Sequence, residues 1–284
     1  MNGQRVRAKD IKKTLIHGVY VAKGVAYEEE HVLRALQQHY PNSWASHFSA
    51  AKFHRLAFPL HPVSGAVHLT TPVAFGKIRR KGIVSYQSSL DPDLHTWRGL
   101  RFTSPEHTVL DMSRYANVDD LVVMIDQLVR EPRPELEDSW EPIYSLQKWQ
   151  ALTKGWTGRG IQKIRAATKL ARVGSDSPPE TRLRLAIVRA GLPEPTLQIE
   201  LPIGGWPRPS ADLGYEDLKI AVHYDGSTHR SREQQGIDNW RDNSFQSQGW
   251  RNLKCSATDL SNGFRATIHQ LRLLIKERER EIRS

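Results

Sequence analysis

A single cysteine, Cys255, stands in 284 residues, which excludes an internal disulfide and any thiolate-rich zinc site. It lies in a strand-like segment, Trp250 to Cys255, where the commoner role of a thiol is that of a small buried hydrophobe rather than a nucleophile. No apolar run approaches the roughly 18 residues that a membrane span needs, and the first residues, MNGQRVRAKDIKK, lack the apolar middle of a secretory signal. A cytoplasmic protein with no membrane partner is therefore expected. Acidic residues are scarce in the first third: residues 1–81 hold 13 lysines and arginines against 4 acids, whereas residues 82–174 hold 12 of each and residues 175–284 hold 16 against 15.

That imbalance carries almost the whole net charge of +10. A basic region on an otherwise neutral chain favours a polyanion, because each phosphate neutralised releases counterions. The competing reading is a solvated face, and charge alone weighs the two equally. The clusters Lys12-Lys13 and Lys77, Arg79, Arg80 and Lys81 tilt the choice toward DNA as partner.

Hydrophobic content of 38%, charged content of 25% and 8 tryptophans place the chain among globular proteins of two or three domains. Thr14 to Val25 reads as a strand pair or wing, followed by helices over Glu28 to Tyr40 and Ser43 to Leu56. Short strands are expected at Ala66 to Thr71, Gly82 to Ser88 and Gly99 to Thr103, then a helix from Ser104 to Arg130. Residues 131–142, rich in proline and acid, read as a linker, with helices again at Leu146 to Lys154 and Gly160 to Val173. After Gly174 to Pro179 the pattern is helix Glu180 to Ala190 closed by Gly191, strands Thr196 to Pro202, Pro209 to Tyr215 and Leu218 to Asp225, helix Arg232 to Gln248, strand Trp250 to Cys255 and helix Asn262 to Ile282. The expected class is α/β, with an α+β front part. Three regions follow: 1–66, basic and DNA-binding-like; 67–174, a small sheet plus helices; and 175–284, a mixed sheet flanked by helices.

In the last region Asp212 falls within an apolar strand, and the next strand carries His223 and Asp225 two residues apart, hence on one face. An antiparallel pairing through Glu216-Asp217 would turn Asp212 to that same face. Carboxylates gathered at strand ends repel one another and are tolerated best around a divalent cation; magnesium takes a few of them and keeps waters, one of which can attack a phosphodiester. Glu180 at a helix start and His229 just past Asp225-Gly226 would complete such a set. By spacing alone, turn and cap roles for these residues weigh more heavily.

The ordered string Ser177-Pro178-Pro179-Glu180, Leu183-Arg184, Gly191-Leu192-Pro193, Gln198, Asp212, Tyr224-Asp225-Gly226, His229, Gln234, Asp238, Arg241, Gly249-Trp250 and Thr258-Asp259-Leu260 resembles the very-short-patch-repair-like endonuclease family of the PD-(D/E)XK superfamily. The resemblance implies a restriction-endonuclease-like fold and magnesium- or manganese-dependent cleavage of a DNA phosphodiester. It implies Glu180 as the residue orienting a water, Asp212 and Asp225 as metal ligands, and His229 as proton carrier or phosphate holder. Arg241 would pair with Asp238 or reach a phosphate, with Gln234 and Trp250 structural. The chain departs from the family at His223, where relatives commonly carry glutamate; a neutral imidazole ligates softer ions such as manganese or zinc in preference to magnesium.

The front part is similar to abortive-infection type IV antitoxin-like proteins of actinobacterial type, on His17 to Val21, Ser46 to Ala51, Val67 to Pro72 and Thr103 to Asp111. The chain starts too near Tyr20 for a full helix-turn-helix ahead of that strand. The nine histidines of residues 1–174 show no metal-ligand spacing and read as packed or surface residues. Two functional expectations follow: a metal-dependent DNA endonuclease that nicks DNA held by the basic front, or a DNA-binding regulator whose nuclease fold no longer cuts. Whether a protein partner, toxin or repair factor, accompanies either is left open by the sequence. An interaction protein without a nucleic-acid role is the third, and would show no steep salt dependence of DNA affinity.

Overall fold

The structure, a computed structural model, describes residues 11–14, 16, 18–24, 26–59, 65–89, 91–133, 137–138, 141–203, 208–226 and 232–284, the last from residue 236 onward with side chains. Mixed sheets and helices make the chain α/β, and it divides into two compact units, residues 1–124 with 147–169 and residues 125–146 with 170–284. The changes between units fall at 124/125, 146/147 and 169/170.

The first unit has an antiparallel hairpin of β1 (Ile11–Lys13) and β2 (Tyr20–Ala22); β2 lies within the segment 14–25 where a strand pair or wing is predicted, and β1 precedes it. Helix α1 (Glu29–His39) begins with acids against its positive dipole end and with Glu28 and His31 in a capping box. Its Val32, Leu33 and Leu36 form the apolar stripe that packs on the sheet. The helix predicted from Ser43 starts late, because Trp44–Ala45 form β3, bonded to a strand on either side; that ladder outweighs the helical spacing. Next come α2 (His47–Phe53), β4 (Val67–Pro72), a short 3-10 turn (Val73–Phe75), β5 (Ile83–Ser88), β6 (Leu94–Trp97) and β7 (Leu100–Thr103). The five-stranded sheet has the order β5-β4-β3-β7-β6, its core drawn from Leu69, Leu100, Phe102 and the α1 stripe.

One long helix predicted over Ser104 to Arg130 is two, α3 (Pro105–Met112) and α4 (Val118–Val129). Ser104 caps the first by accepting the His107 amide, and Asn117 Oδ1 accepts the Asp120 amide at 2.8 Å, so a new helix nucleates there instead of continuing the old one. The division between units falls within α4; α5 (Leu146–Gly155) and α6 (Ile161–Leu170) follow.

In the second unit α7 (Pro178–Arg189) precedes β8 (Thr196–Glu200), β9 (Ser210–Tyr215) and β10 (Ile220–Asp225), followed by α8 (Arg232–Ser247), β11 (Arg251–Ser256), α9 (Ala257–Ser261) and α10 (Arg265–Arg283). Gly191 ends α7 at φ 73°, a conformation costly for other residues. The sheet runs β11-β10-β9-β8: β8, β9 and β10 are antiparallel neighbours, while β10 and β11 are parallel, as the α8 crossover between them requires. One face packs Leu213, Ile220 and Val222 on Leu183 and Ile187 of α7 and Leu271 and Ile275 of α10. The other packs Ile199, Ala211 and Ala221 on Phe245 of α8. At Gly214 an added Cβ would meet Ile220 O at 2.2 Å, so that strand contact admits only glycine. Among the described residues no helix is long and apolar enough to cross a membrane.

Candidate functional site

Helix α7 carries Glu180 in its first turn, and a buried ion pair behind it fixes the helix. Arg184 and Asp126, each with a side chain 1% exposed, bond at 2.9 Å. Asp126 also accepts the Thr181 hydroxyl at 2.9 Å and the Arg172 amide at 2.8 Å. Burial raises Asp126 in spite of these donors. Such a pair adds little net stability, yet it leaves α7 one register only, since removing either partner strands a charge in the interior.

Glu180, 6% exposed, receives the Asp176 amide at 2.8 Å, the Ser177 hydroxyl at 2.7 Å and the Gln198 amide at 3.3 Å. Gln198 belongs to β8 and occupies φ 50°, strained for a non-glycine residue. It lies opposite Asp212, between the register pairs Leu197–Leu213 and Ile199–Ala211. On the other side of β9 the ladder to β10 stops at the pair Val222–Leu213, and beyond it the Asp212 carboxylate accepts the Tyr224 amide at 2.6 Å. A side chain thus replaces a strand carbonyl where the strands part.

Burial, and then the neighbouring Asp212 charge, pushes Glu180 well above the carboxylate range; burial likewise raises Asp212, opposed by the Tyr224 amide, Arg241 and Arg133. A buried carboxyl raised by the charge of a half-buried carboxylate is the central electrostatic feature of this site. Two arginines, Arg241 and Arg133, temper it. Arg133 bonds Asp176 and the Gln198 carbonyl, and Arg130 bonds the other Asp176 oxygen at 2.8 Å. Arg241 pairs with Asp238 at 3.4 Å, one of the two roles the resemblance implies for it.

The other sequence candidates are placed differently. Asp225, half-buried, ends β10 opposite Ser256; after burial, Asp259, Asp212 and Asp225 in that order hold the Cys255 thiol up to about 12, so all three acids bear on one end of β10 and β11. His223 is 1% exposed on the α8 face, its ring edge-on to Phe245 at 5.6 Å, and among the described residues neither ring nitrogen has a hydrogen-bond partner of good geometry. Burial, then Arg241, holds it down to about 4, so it stays a neutral core ring. His229, and the side chain of Gln234, lie outside the described residues.

Among the described residues no group of three or more histidine, cysteine or acidic side chains converges as a metal cage. The donor set that does exist, Glu180 with Asp212, suits an ion such as magnesium, which takes one or two carboxylates and retains water; it does not suit zinc, and His223 adds nothing to it.

In the first unit Lys12, Lys13, Lys77, Arg79 and Lys81 are exposed. Arg80 lies over the Tyr40 ring at 5.3 Å, and its guanidinium comes 3.7 Å from where a Cβ on Gly18 would sit, which sets the 77–81 cluster beside the β1–β2 hairpin. Phe75, 60% exposed, stands next to it. No protein-family model matches the chain, and no curated protein matches it.

Proposed function

We propose that the protein is a divalent-cation-dependent DNA endonuclease: the second unit, a restriction-endonuclease-like fold, hydrolyses a phosphodiester, and the basic surface of the first unit binds the DNA. The observation that carries this reading is the pair Glu180 and Asp212, a buried carboxyl raised by burial and by the charge of a half-buried neighbour at the point where β9 leaves β10. Ligand sites in α/β sheets lie outside the carboxyl ends of strands, which is where Asp225 and Asp259 add to the negative field. Magnesium or manganese, when bound there, would supply charge neutralisation and a water of lowered pKa.

The roles of the protein groups follow from their bonds. Asp212, anchored by the Tyr224 amide, presents its second oxygen as the cation ligand. Glu180, whose affinity for a proton is raised, can take one near neutral pH while its three donors keep the carboxylate oriented. Arg133 and Arg241 offer positive charge toward a phosphate.

A second reading has its own support. His223 provides a core ring where the resembled family has an acid, and among the described residues no three metal-ligating side chains converge, which favours a DNA-binding protein that does not cut. Nicking of supercoiled plasmid in magnesium and in manganese separates the two. The endonuclease reading expects nicks with either ion, reduced at least 100-fold in Asp212→Ala and in Glu180→Gln. Salt-sensitive DNA binding with no nicking in any divalent ion would sink it and leave the binding protein.

A further inference from the structure

The first unit contains a cavity of about 210 Å³ that the nuclease reading does not use. Its walls are aromatic. Trp44 and Trp156 line it, and Tyr86 stacks on His47 with centroids 3.6 Å apart and planes 9° from parallel. This wall is held in place from behind: Ser46 Oγ bonds His47 Nδ1 at 2.9 Å, and the Tyr86 hydroxyl bonds His68 Nδ1 at 2.9 Å and the Tyr115 hydroxyl. His47 adopts φ 50° at the first position of α2, a strained backbone that persists because these bonds hold it. Since an apolar cavity of about 150 Å³ accepts benzene, this one has room for a heteroaromatic ring.

The polar groups lie at two depths. Asp111, with a side chain 19% exposed, sits between His47 Nδ1 at 3.7 Å and His107 Nε2 at 3.9 Å, both too far to hydrogen-bond it. Its carboxylate therefore has acceptor capacity that these rings do not use. Farther out, Arg114 and Arg159 are exposed and line the same cavity, and among the described residues neither guanidinium has a carboxylate partner. Arg114 instead lies 5.8 Å from the Tyr86 ring. The Trp156 indole N–H is buried with no acceptor among the described residues. Aromatic walls, a carboxylate below and two unpaired guanidinium groups above match a flat ring with hydrogen-bond donors and an anionic tail.

We propose that this cavity binds a nucleobase carrying a phosphate, the base stacked among Trp44, Trp156 and Tyr86, its donor edge on Asp111 and its phosphate on Arg114 and Arg159. Guanine is the base that fits: its N1–H and N2–H present two adjacent donors to one carboxylate, whereas adenine and cytosine place a ring acceptor beside their single amino donor. Stacking of this kind accepts any base, so Asp111 is the specificity-determining group. The same chemistry is offered by a free guanosine monophosphate and by a guanine in a single strand. The proposal stands whether or not the second unit cuts DNA.

Calorimetric titration of the full chain tests it, using guanosine, adenosine and cytidine monophosphates, inorganic phosphate, and a thymine decamer with or without one central guanine. Guanosine monophosphate is expected to bind saturably and at least tenfold tighter than the other two nucleotides. Asp111→Asn should weaken it at least tenfold and leave inorganic phosphate unaffected, while Arg159→Ala, at an exposed position, should weaken both at least threefold. Competition by the guanine-containing decamer alone identifies a base within a strand as the ligand; binding of the mononucleotide without such competition identifies the free nucleotide, and either supports the site. Absence of saturable binding, equal affinity for the three nucleotides, or unchanged affinity in Arg159→Ala would overturn the proposal.

Discussion

Asp111 offers the sharpest test of the electrostatics of the first unit. Burial raises its carboxyl from the ordinary 3.8 to about 7, with only the His47 backbone amide pulling the other way. Between those two pH values the folded chain holds a proton that the unfolded chain has released, so raising the pH favours unfolding. At about 1.36 kcal/mol per pH unit, the loss across the interval amounts to about 4 kcal/mol at full ionisation, and is complete above pH 7. The two flanking histidines are both lowered by burial and give an opposite slope at the acidic end. Asp111→Asn keeps them and removes only the carboxylate. Subtracting the stability of wild type from that of Asp111→Asn between pH 4 and 8 should therefore yield a difference that grows with pH in favour of the variant. Urea unfolding, with hydrogen exchange at the buried amides of α2 and β4 to report on this unit alone, makes the measurement. A difference that stays flat, or a variant less stable than wild type at pH 8, would refute the argument, as would a carboxyl carbon resonance of Asp111 titrating near 4.

Arg184→Met leaves Asp126 buried without its partner and should cost about 3–5 kcal/mol in unfolding free energy, whereas Arg184→Met with Asp126→Leu should recover most of it in the same urea titration. His223→Leu removes two ring nitrogens that have no partner of good geometry among the described residues, so stability should be unchanged or about 1 kcal/mol higher; unaltered plasmid nicking in that variant would agree with its place as a core ring, and lost nicking would contradict it. Cys255 should resist a disulfide reagent in the native state at pH 8, because its thiol is held near 12, and react once the chain is unfolded in urea; fast native labelling would refute its burial. Gly214→Ala should destabilise the second unit by about 3 kcal/mol in thermal unfolding, because the methyl group meets a strand carbonyl that cannot move away.

Much of the second unit was legible in the sequence, since β-branched runs bounded by glycine and proline, and helices with clear stops at Gly191 and Gly249, leave little freedom in where its elements lie. The α1 stripe was legible for the same reason. Trp44–Ala45 was not: two residues carry no period, and only the strands on either side make them β3. The break between α3 and α4 was hidden because Asn117 caps a helix only if the chain turns there, which periodicity does not report.

The candidate residues divide along the same line. Sequence by itself determined the residue types and their order: one thiol and hence no disulfide, a basic first third, Glu180 at a helix start and Asp212 in a strand. Which of them meet was decided by tertiary structure alone, because a strand offers two faces and a register, and a left-handed Gln198 or a parting of β9 from β10 redirects side chains that alternation would assign otherwise. That is why Asp212 faces Glu180 with Gln198, Arg133 and Asp176 around them, while His223 turns into the α8 core. The first-unit cavity lay further beyond reach. His107 and Asp111 at helical spacing were the one local sign of it, but Trp44, Tyr86 and Trp156 come together across more than a hundred residues, through packing that no local pattern encodes.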